Sequence, residues 1–189
     1  MKLNNLTLPG RLLIVDLEST CWKSKEDQKD SISEIIEFGY CPFENGNIEK
    51  AGSIFITPVF SKVSEFCIQL TSITSKDLTE KGLPIANAYN RINQVFQGYD
   101  IWGSWGDYDK NQMHRMFDLY GITNFLPSVH INIKRLYGKI ILNKDNMKKG
   151  SPVNALNHFG KSFEGTHHRG EDDSYNIARV YQILYDHEM

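Results

Sequence analysis

RLLIVDLE, residues 11–18, is an apolar run of strand length that ends in two acids. Such a run is typical of a central β-strand that is buried on both faces. Two more strand-like runs, SEIIEFGYCPF (33–43) and GSIFITP (52–58), follow it and are separated by the turn-like ENGN (44–47). Because a short turn joins them, these runs predict a hairpin. The first three strands are therefore expected to form an antiparallel meander.

Helical and strand-like segments alternate in the rest of the chain. The pattern is irregular after Pro58, and spaced apolar residues then predict helical structure from about Thr74 to Gly98. Pro84 is expected to break this structure into two helices. Further strands are predicted at 99–105 and 128–133, and further helices at 108–120, 152–159 and 171–187. This order implies an α/β fold in which helices flank a mixed five-stranded sheet.

Length and charge limit the classes of protein to which the chain can belong. The 189 residues contain no linker-like stretch, so a single domain spanning residues 1–189 is expected. The net charge of −2 argues against non-specific binding along a duplex, which normally needs a basic face. An enzyme that holds only a few terminal nucleotides can instead obtain positive charge from bound divalent metal ions.

The amino terminus and the cysteines suggest a cytoplasmic protein. Asp16 interrupts the first apolar run, so neither a signal-peptide core nor a membrane span is present there, and no membrane association is expected. Cys21, Cys41 and Cys67 include no Cys-x-x-Cys pair. They are interpreted as buried thiols and not as a disulfide framework or a zinc site.

Two carboxylates end the first predicted strand. Asp16 and Glu18 are two residues apart, so both side chains leave the same face of the strand. Burying such a pair is costly unless a cation or a hydrogen-bond donor meets it, and carboxylate oxygens are hard metal ligands. The alternative is that these acids only mark the exit of the strand into a solvated loop.

Helical periodicity separates two acids near the middle of the chain. Asp109 shares a helix face with the apolar residues Met113, Met116, Phe117 and Tyr120, which indicates an inward position. Asp107 shares its face with the polar residues Lys110, Asn111, His114 and Asp118. Asp107 is therefore better placed as an N-terminal cap of the helix.

The same argument applies to the last predicted helix. Asp173 shares its face with the apolar residues Ile177, Val180, Tyr181 and Leu184, whereas Asp172 shares its face with Asn176 and Arg179. His168 precedes Asp173 by five residues, which places the imidazole on the loop that enters the helix. The alternative for His168, as for the other histidines, is a solvated surface residue.

Taken together, the successive motifs resemble those of the DEDDh exonucleases. The motifs are LLIVDLESTCW, SEIIEFGY, SEFCIQLTSIT, WGDYD and HHRGEDDSYNIAR. They are most similar to the branch that contains the histone-mRNA 3′ exonuclease and its bacterial relatives. The resemblance runs from about Leu12 to Leu184 and implies an RNase H-like fold. Each motif alone is weak, and their combination is highly specific.

The resemblance also implies a mechanism. Asp16, Glu18, Asp109 and Asp173 would be ligands of two Mg²⁺ or Mn²⁺ ions, and His168 would be the general base. The expected activity is removal of nucleoside 5′-monophosphates from the 3′ end of nucleic acid. The second-motif ligand stays open, because a one-turn shift would give that role to Asp107.

Substrate contacts are less visible in the sequence. Phe66 and Tyr108 resemble positions at which relatives stack the terminal base, and packing in the core is the alternative. Ser19 and Thr20 are candidates to place backbone groups near the terminal sugar, where a 2′-hydroxyl distinguishes RNA from DNA. The expected partner is single-stranded or 3′-overhanging nucleic acid, RNA more than DNA. The alternatives are a DNA-directed exonuclease of the same chemistry and a catalytically inactive nucleic-acid-binding domain.

Overall fold

The computed structural model describes residues 7–144 and 150–188. Its strands are β1 (Leu12–Ser19), β2 (Ile35–Glu44), β3 (Asn47–Ile48), β4 (Gly52–Phe55), β5 (Ile101–Ser104) and β6 (Val129–Asn132). Its helices are α1 (Lys25–Gln28), α2 (Glu65–Thr71), α3 (Ser75–Lys81), α4 (Ile85–Phe96), α5 (Tyr108–Tyr120), α6 (Ile133–Ile140), α7 (Pro152–His158) and α8 (Gly170–Glu188). No helix in the described ranges is long and apolar enough to cross a membrane.

The strands form one mixed sheet with β1 in the middle. The order is β3-β2-β1-β5-β6, and β4 pairs with β2. β2 is antiparallel to β1, β3 and β4, whereas β1, β5 and β6 are parallel to one another. The predicted mixed α/β fold and its antiparallel meander are confirmed.

The sheet has six strands and not the predicted five, because the two-residue strand β3 forms between the predicted turn and the predicted third strand. β3 pairs with the end of β2 at Phe43 and Glu44, and β4 pairs with the segment from Glu37 to Tyr40. Pro42 lies at the break between these two pairings. Proline has no amide hydrogen to donate to a strand ladder, which accounts for the interruption.

The two faces of the sheet carry two hydrophobic clusters. Leu13, Val15 and Leu17 of β1 pack on one side with apolar residues of α4 and α5. Leu12 and Ile14 pack on the other side with α6, α7 and α8. The central strand is therefore buried on both faces, as the apolar run predicted.

Two sequence-based expectations are wrong. The helices α1, α2 and α6 lie in segments for which no helix was predicted, and α6 begins at Ile133, the last residue of a predicted strand. α2 depends on its N-cap, where the Ser64 hydroxyl accepts a hydrogen bond from the Cys67 amide at 3.0 Å, so hydrophobic periodicity gave no signal for it. Cys41 and Cys67 are buried free thiols as predicted, but Cys21 is partly exposed.

Candidate active site

Three carboxylates converge at the carboxyl end of β1. Asp16 and Glu18 extend from this strand, and Asp173 lies in the first turn of α8. One ligand oxygen from each lies within 4.8 Å of those of the other two. Glu18 is only 7% exposed, so this pair of acids does not simply mark a solvated loop. The strand places its two acids on one face, as predicted, and α8 supplies the third.

Two glycines let α8 approach the strands this closely. A Cβ atom added to Gly39 of β2 would lie 1.9 Å from the carbonyl carbon of Gly170. A Cβ atom on Gly170 would lie 2.9 Å from the Gly39 nitrogen and 3.2 Å from the Asp16 carbonyl oxygen. Only glycine fits such a close approach of two backbones. The contact brings the first turn of α8, and with it Asp173, against β1.

Asp109 is the inward acid of α5. Its side chain is 5% exposed, and its Oδ1 accepts a hydrogen bond from the Leu17 amide at 3.1 Å, between the two acids of β1. Asp109 is not part of the 4.8 Å group. Asp107 is half-exposed and pairs with Arg135 at 3.4 Å and Lys110 at 3.9 Å. It occupies the predicted N-cap position, but its side chain makes no capping hydrogen bond, so that part of the prediction is wrong.

The two acids of α8 also differ, although not as expected. Asp173 shares its face with buried apolar residues, as predicted. The Asp172 face is not a solvent face, because Asn176 is fully buried on it and bonds to the Glu164 backbone. Asp172 itself accepts a hydrogen bond from the Thr166 amide at 2.8 Å. This face therefore holds the loop that precedes His168.

Burial and mutual repulsion raise the pKa values of the clustered acids. Desolvation, followed by repulsion from Asp109 and Asp173, holds the pKa of Asp16 well above its usual range. Desolvation and the charge of Asp173 raise the pKa of Glu18 to about 8. Desolvation also raises the pKa of Asp109 to about 6, although amide donors oppose it. The pKa of Asp173 is raised by burial as well. Such a site favours either protons or a cation.

The donor set fits a hard divalent cation. All three members of the 4.8 Å group are carboxylates, and carboxylate oxygens are the ligands that Mg²⁺, Mn²⁺ and Ca²⁺ prefer. A cation would also relieve the repulsion that raises their pKa values. These residues are therefore suited to hold a metal ion of this class.

His168 lies beside the cluster on the turn before α8. Its Nδ1 is 4.0 Å from a carboxylate oxygen of Glu18, and its side chain is 53% exposed. The residue has a φ of 58°, a left-handed conformation, and the next amide, of Arg169, donates to Asp173 at 3.1 Å. The imidazole is thus open to water while facing the carboxylates. The ring of His167 stacks instead on Phe163.

A buried ion pair beneath this turn was not found by sequence reasoning. Glu37 of β2 is fully buried directly opposite Glu18, and it accepts hydrogen bonds from Arg169 Nε at 3.2 Å and from the Gly170 amide at 3.0 Å. A signal existed, since an acid inside the apolar run SEIIEFGY needs a partner when buried.

The candidate substrate contacts fall into two groups. Phe66 is 36% exposed and Tyr108 is 53% exposed, so neither is a core aromatic, and both remain available for stacking. Thr20 is fully buried, its amide donates to the Glu34 carbonyl, and its carbonyl accepts from the Ser33 hydroxyl. The fold therefore uses the Thr20 amide and one lone pair of its carbonyl, and a substrate contact of Thr20 stays a prediction.

Ser19 remains a candidate for a substrate contact. A register shift between Glu18 and Ser19 ends the regular pairing of β1 with β2, and Ser19 then pairs with Ile35. The Ser19 hydroxyl is buried and has no hydrogen-bond partner among the described residues. Its carbonyl accepts a weak hydrogen bond from the Cys67 thiol at 3.6 Å.

The sheet is mixed and carries carboxylates at the end of its central strand, and a histidine lies on the turn before the last helix. This arrangement defines a DEDDh-type exonuclease fold. Residues 13–181 match the family model described as an exonuclease of the RNase T type. The chain belongs to this exonuclease family. The resemblance read from the motifs is confirmed.

Relatives and solved structures agree with this assignment. ERI1 exoribonuclease 2 of Xenopus laevis is 26% identical over 89% of this chain and 27% of its own length. The 3′-5′ exonuclease Snipper of Drosophila melanogaster is 26% identical over 89% of this chain and 67% of its own length. The chain thus spans about a quarter of the frog protein. The nuclease domain of 3′hExo, a DEDDh family member bound to rAMP, superimposes with a TM-score of 0.82 at 24% identity, covering 95% of this chain and 94% of that domain.

Proposed function

We propose that this chain is a metal-dependent 3′→5′ exonuclease that releases nucleoside 5′-monophosphates from the 3′ end of nucleic acid, with RNA as the favoured substrate. The observation that carries the proposal is the convergence of Asp16, Glu18 and Asp173 within 4.8 Å, with the imidazole of His168 beside them. Membership of the exonuclease family supports the same reaction.

In this proposal the acids hold two Mg²⁺ or Mn²⁺ ions. Asp16, Glu18 and Asp173 would be the central ligands, and Asp109, held by the Leu17 amide, would contribute a fourth carboxylate. Such ions would orient a water molecule and stabilise the leaving 3′ oxygen. The hydrogen bond to Leu17 fixes the Asp109 carboxylate next to both acids of β1.

His168 acts on water and does not hold metal. Its exposed imidazole accepts a proton from the attacking water as the new oxygen–phosphorus bond forms. The bond from phosphorus to the 3′ oxygen breaks, the phosphate leaves on the 5′ oxygen of the released nucleotide, and the 3′ oxygen of the shortened strand takes up a proton from solvent water. Glu18, 4.0 Å away, holds the resulting imidazolium by charge attraction.

The preference for RNA rests on the relatives and on one feature of the site. The frog relative is named an exoribonuclease, and the superimposed nuclease domain was bound to the ribonucleotide rAMP. Ser19, which directly follows Glu18 and whose buried hydroxyl has no hydrogen-bond partner among the described residues, is the residue we assign near the terminal sugar. Phe66 and Tyr108 are assigned to stacking on the bases. A single domain and a cytoplasmic location stay predictions.

Digestion of 5′-labelled RNA tests this proposal. With Mg²⁺ or Mn²⁺ the label should appear in a ladder that shortens from the 3′ end, and a chelator should stop it. A DNA strand of the same sequence, assayed in parallel, measures the sugar preference. Faster cleavage of DNA would overturn the RNA assignment. Binding without turnover on either strand would indicate the inactive nucleic-acid-binding domain.

A further inference from the structure

A basic groove of about 280 Å³ lies between α5 and α6, over the carboxyl end of β6. Lys110 of α5 and Arg135 and Lys139 of α6 line it, together with Asp107 and His130. Neither the motifs nor the catalytic residues account for this groove. Three cations around one carboxylate are notable in a chain with a net charge of −2.

The groove lies at the same edge of the sheet as the catalytic carboxylates. β1, β5 and β6 are parallel, so their carboxyl ends meet at one edge, where open α/β sheets bind their ligands. Two strand spacings separate β1 from β6, which corresponds to about 10 Å. Lys110 directly follows Asp109 in the first turn of α5. The groove therefore lies on the same edge of the sheet as the catalytic carboxylates, beside the helix turn that carries Asp109.

Two of the three cations of the groove, Lys110 and Arg135, are held in place by the local structure. The Asn132 side chain accepts a hydrogen bond from the Arg135 amide at 2.9 Å and caps the start of α6. Asp107 attracts the Arg135 guanidinium at 3.4 Å and the Lys110 ammonium at 3.9 Å from the opposite wall. His130 donates or accepts a hydrogen bond with the Ser104 hydroxyl at 2.9 Å and contributes a polar, fixed wall. The groove thus presents a net positive charge in a defined geometry.

We propose that this groove binds the phosphodiester backbone of the substrate strand, upstream of the 3′-terminal nucleotide. The inference rests on the proposed exonuclease function and assigns the residues that hold the strand during cleavage. Arg and Lys are the side chains that contact nucleic-acid phosphates. The chain carries a net charge of −2, so phosphates upstream of the scissile bond need local cations, and the groove supplies three of them at the same edge of the sheet.

The proposal predicts that affinity depends on strand length through these cations. A dinucleotide contains only the scissile phosphodiester, so it does not reach the groove. A ten-nucleotide single strand extends into it. The double variant Lys110→Gln/Lys139→Gln should therefore raise the ratio of KM for the ten-nucleotide strand to KM for the dinucleotide by roughly tenfold. The matched control Lys76→Gln/Arg91→Gln removes two exposed cations from α3 and α4 and should leave this ratio unchanged.

Salt dependence provides a second measurement. Binding of the labelled ten-nucleotide strand is followed by fluorescence anisotropy with Ca²⁺ as the divalent ion. The slope of log Kd against log salt should fall by about 0.7 for each lysine removed, the value for a phosphate contact in a single strand. Asp107→Asn should act in the opposite direction and tighten binding, because it frees the Arg135 and Lys110 charges.

The outcomes separate this inference from the proposed function. If Lys110→Gln/Lys139→Gln changes neither the KM ratio nor the salt slope, the groove does not bind the phosphodiester backbone of the substrate. A defect confined to blunt duplexes also overturns it, since the groove would then hold the complementary strand. If the wild type binds the strand without cleaving it, the exonuclease proposal fails, while the anisotropy comparison still decides whether the groove binds phosphates.

Discussion

Arg169 Nε lies 3.2 Å from Oε2 of the fully buried Glu37. Glu37 of β2 is paired directly with Glu18 on the neighbouring strand β1. The guanidinium also lies over the ring of Phe55, 5.3 Å from its centroid. Arg169 directly follows His168, so the ion pair ties the histidine turn to β2. We therefore expect the pair to position the imidazole as well as to stabilise the fold.

Arg169→Met should lower both stability and turnover. The change leaves the Glu37 carboxylate with the Gly170 amide as its remaining donor, and an undersatisfied buried acceptor costs roughly 1–3 kcal/mol. Turnover should fall because the imidazole of His168 loses its fixed position. Thermal denaturation gives the stability, and kcat measured well below Tm gives the catalytic effect.

Arg169→Lys is the control for this variant. Lysine keeps the charge but offers one point contact where the guanidinium makes contacts through Nε and Nη2, so partial recovery of kcat is expected. If Arg169→Met has a lower Tm than the wild type while kcat and KM are unchanged, the ion pair is only structural and does not position the histidine.

The carboxylate cluster should make the metal-free protein less stable as pH rises. Burial raises the pKa of folded Glu18 to about 8, far above that of an unfolded glutamate, so the folded state binds the extra proton. Proton binding to the folded state stabilises it at low pH, and this stability is lost as pH rises from about 4.5 to about 8. In chelator, Tm should therefore fall across this window.

Divalent metal should remove much of this fall in Tm with rising pH. Mg²⁺ or Mn²⁺ binds the ionised carboxylates, so the rise in Tm on adding metal should be larger at pH 8 than at pH 6. The glutamine side chain in Glu18→Gln cannot ionise, so Tm should depend less on pH in this variant when chelator is present. A Tm that responds neither to metal nor to chelator would be inconsistent with a metal site at these acids.

Asp109→Asn should abolish cleavage, whereas Asp107→Asn should retain it. Asp109 is buried against the Leu17 amide between the two acids of β1, whereas Asp107 is half-exposed and pairs with cations. Single-turnover digestion of labelled RNA by the two matched variants measures the difference. The reverse pattern would transfer the metal ligand to Asp107.

Periodicity and local motifs predicted the parts of the site that depend on one element. The inward position of Asp109 follows from the apolar face of α5, and the shared face of Asp16 and Glu18 follows from strand geometry. The pairing of Glu37 with Arg169 could not be read in this way, because it joins residues 132 positions apart. The contact exists only once α8 has packed against β2.

The features that the sequence did not predict have the same origin. The sequence does not show that the β1–β2 connection forms hydrogen bonds with the amide, carbonyl and hydroxyl of Thr20. The helix α2 was missed because a cap and contacts with the rest of the fold stabilise seven residues that carry little periodic signal. Sequence pattern shows which face a residue occupies, and hydrogen-bond partners from distant segments decide what remains available for binding.

His168→Ala should lower turnover by roughly 10²–10⁴-fold, the usual contribution of a positioned base, with little change in metal affinity. The imidazole is half-exposed and lies 4.0 Å from Glu18, which places it near the carboxylates without making it one of the 4.8 Å group. His167→Ala is the matched control and should be much milder, because that ring stacks on Phe163 and not on the site.

Metal affinity is followed by the increase in Tm on titration with Mn²⁺, and kcat is measured over the same titration. If His168 held metal, the alanine variant would need more Mn²⁺ for the same increase in Tm, and its kcat would return to the wild-type value at saturation. A kcat that stays low when Mn²⁺ saturates the site therefore identifies the imidazole as the group that accepts the proton from water.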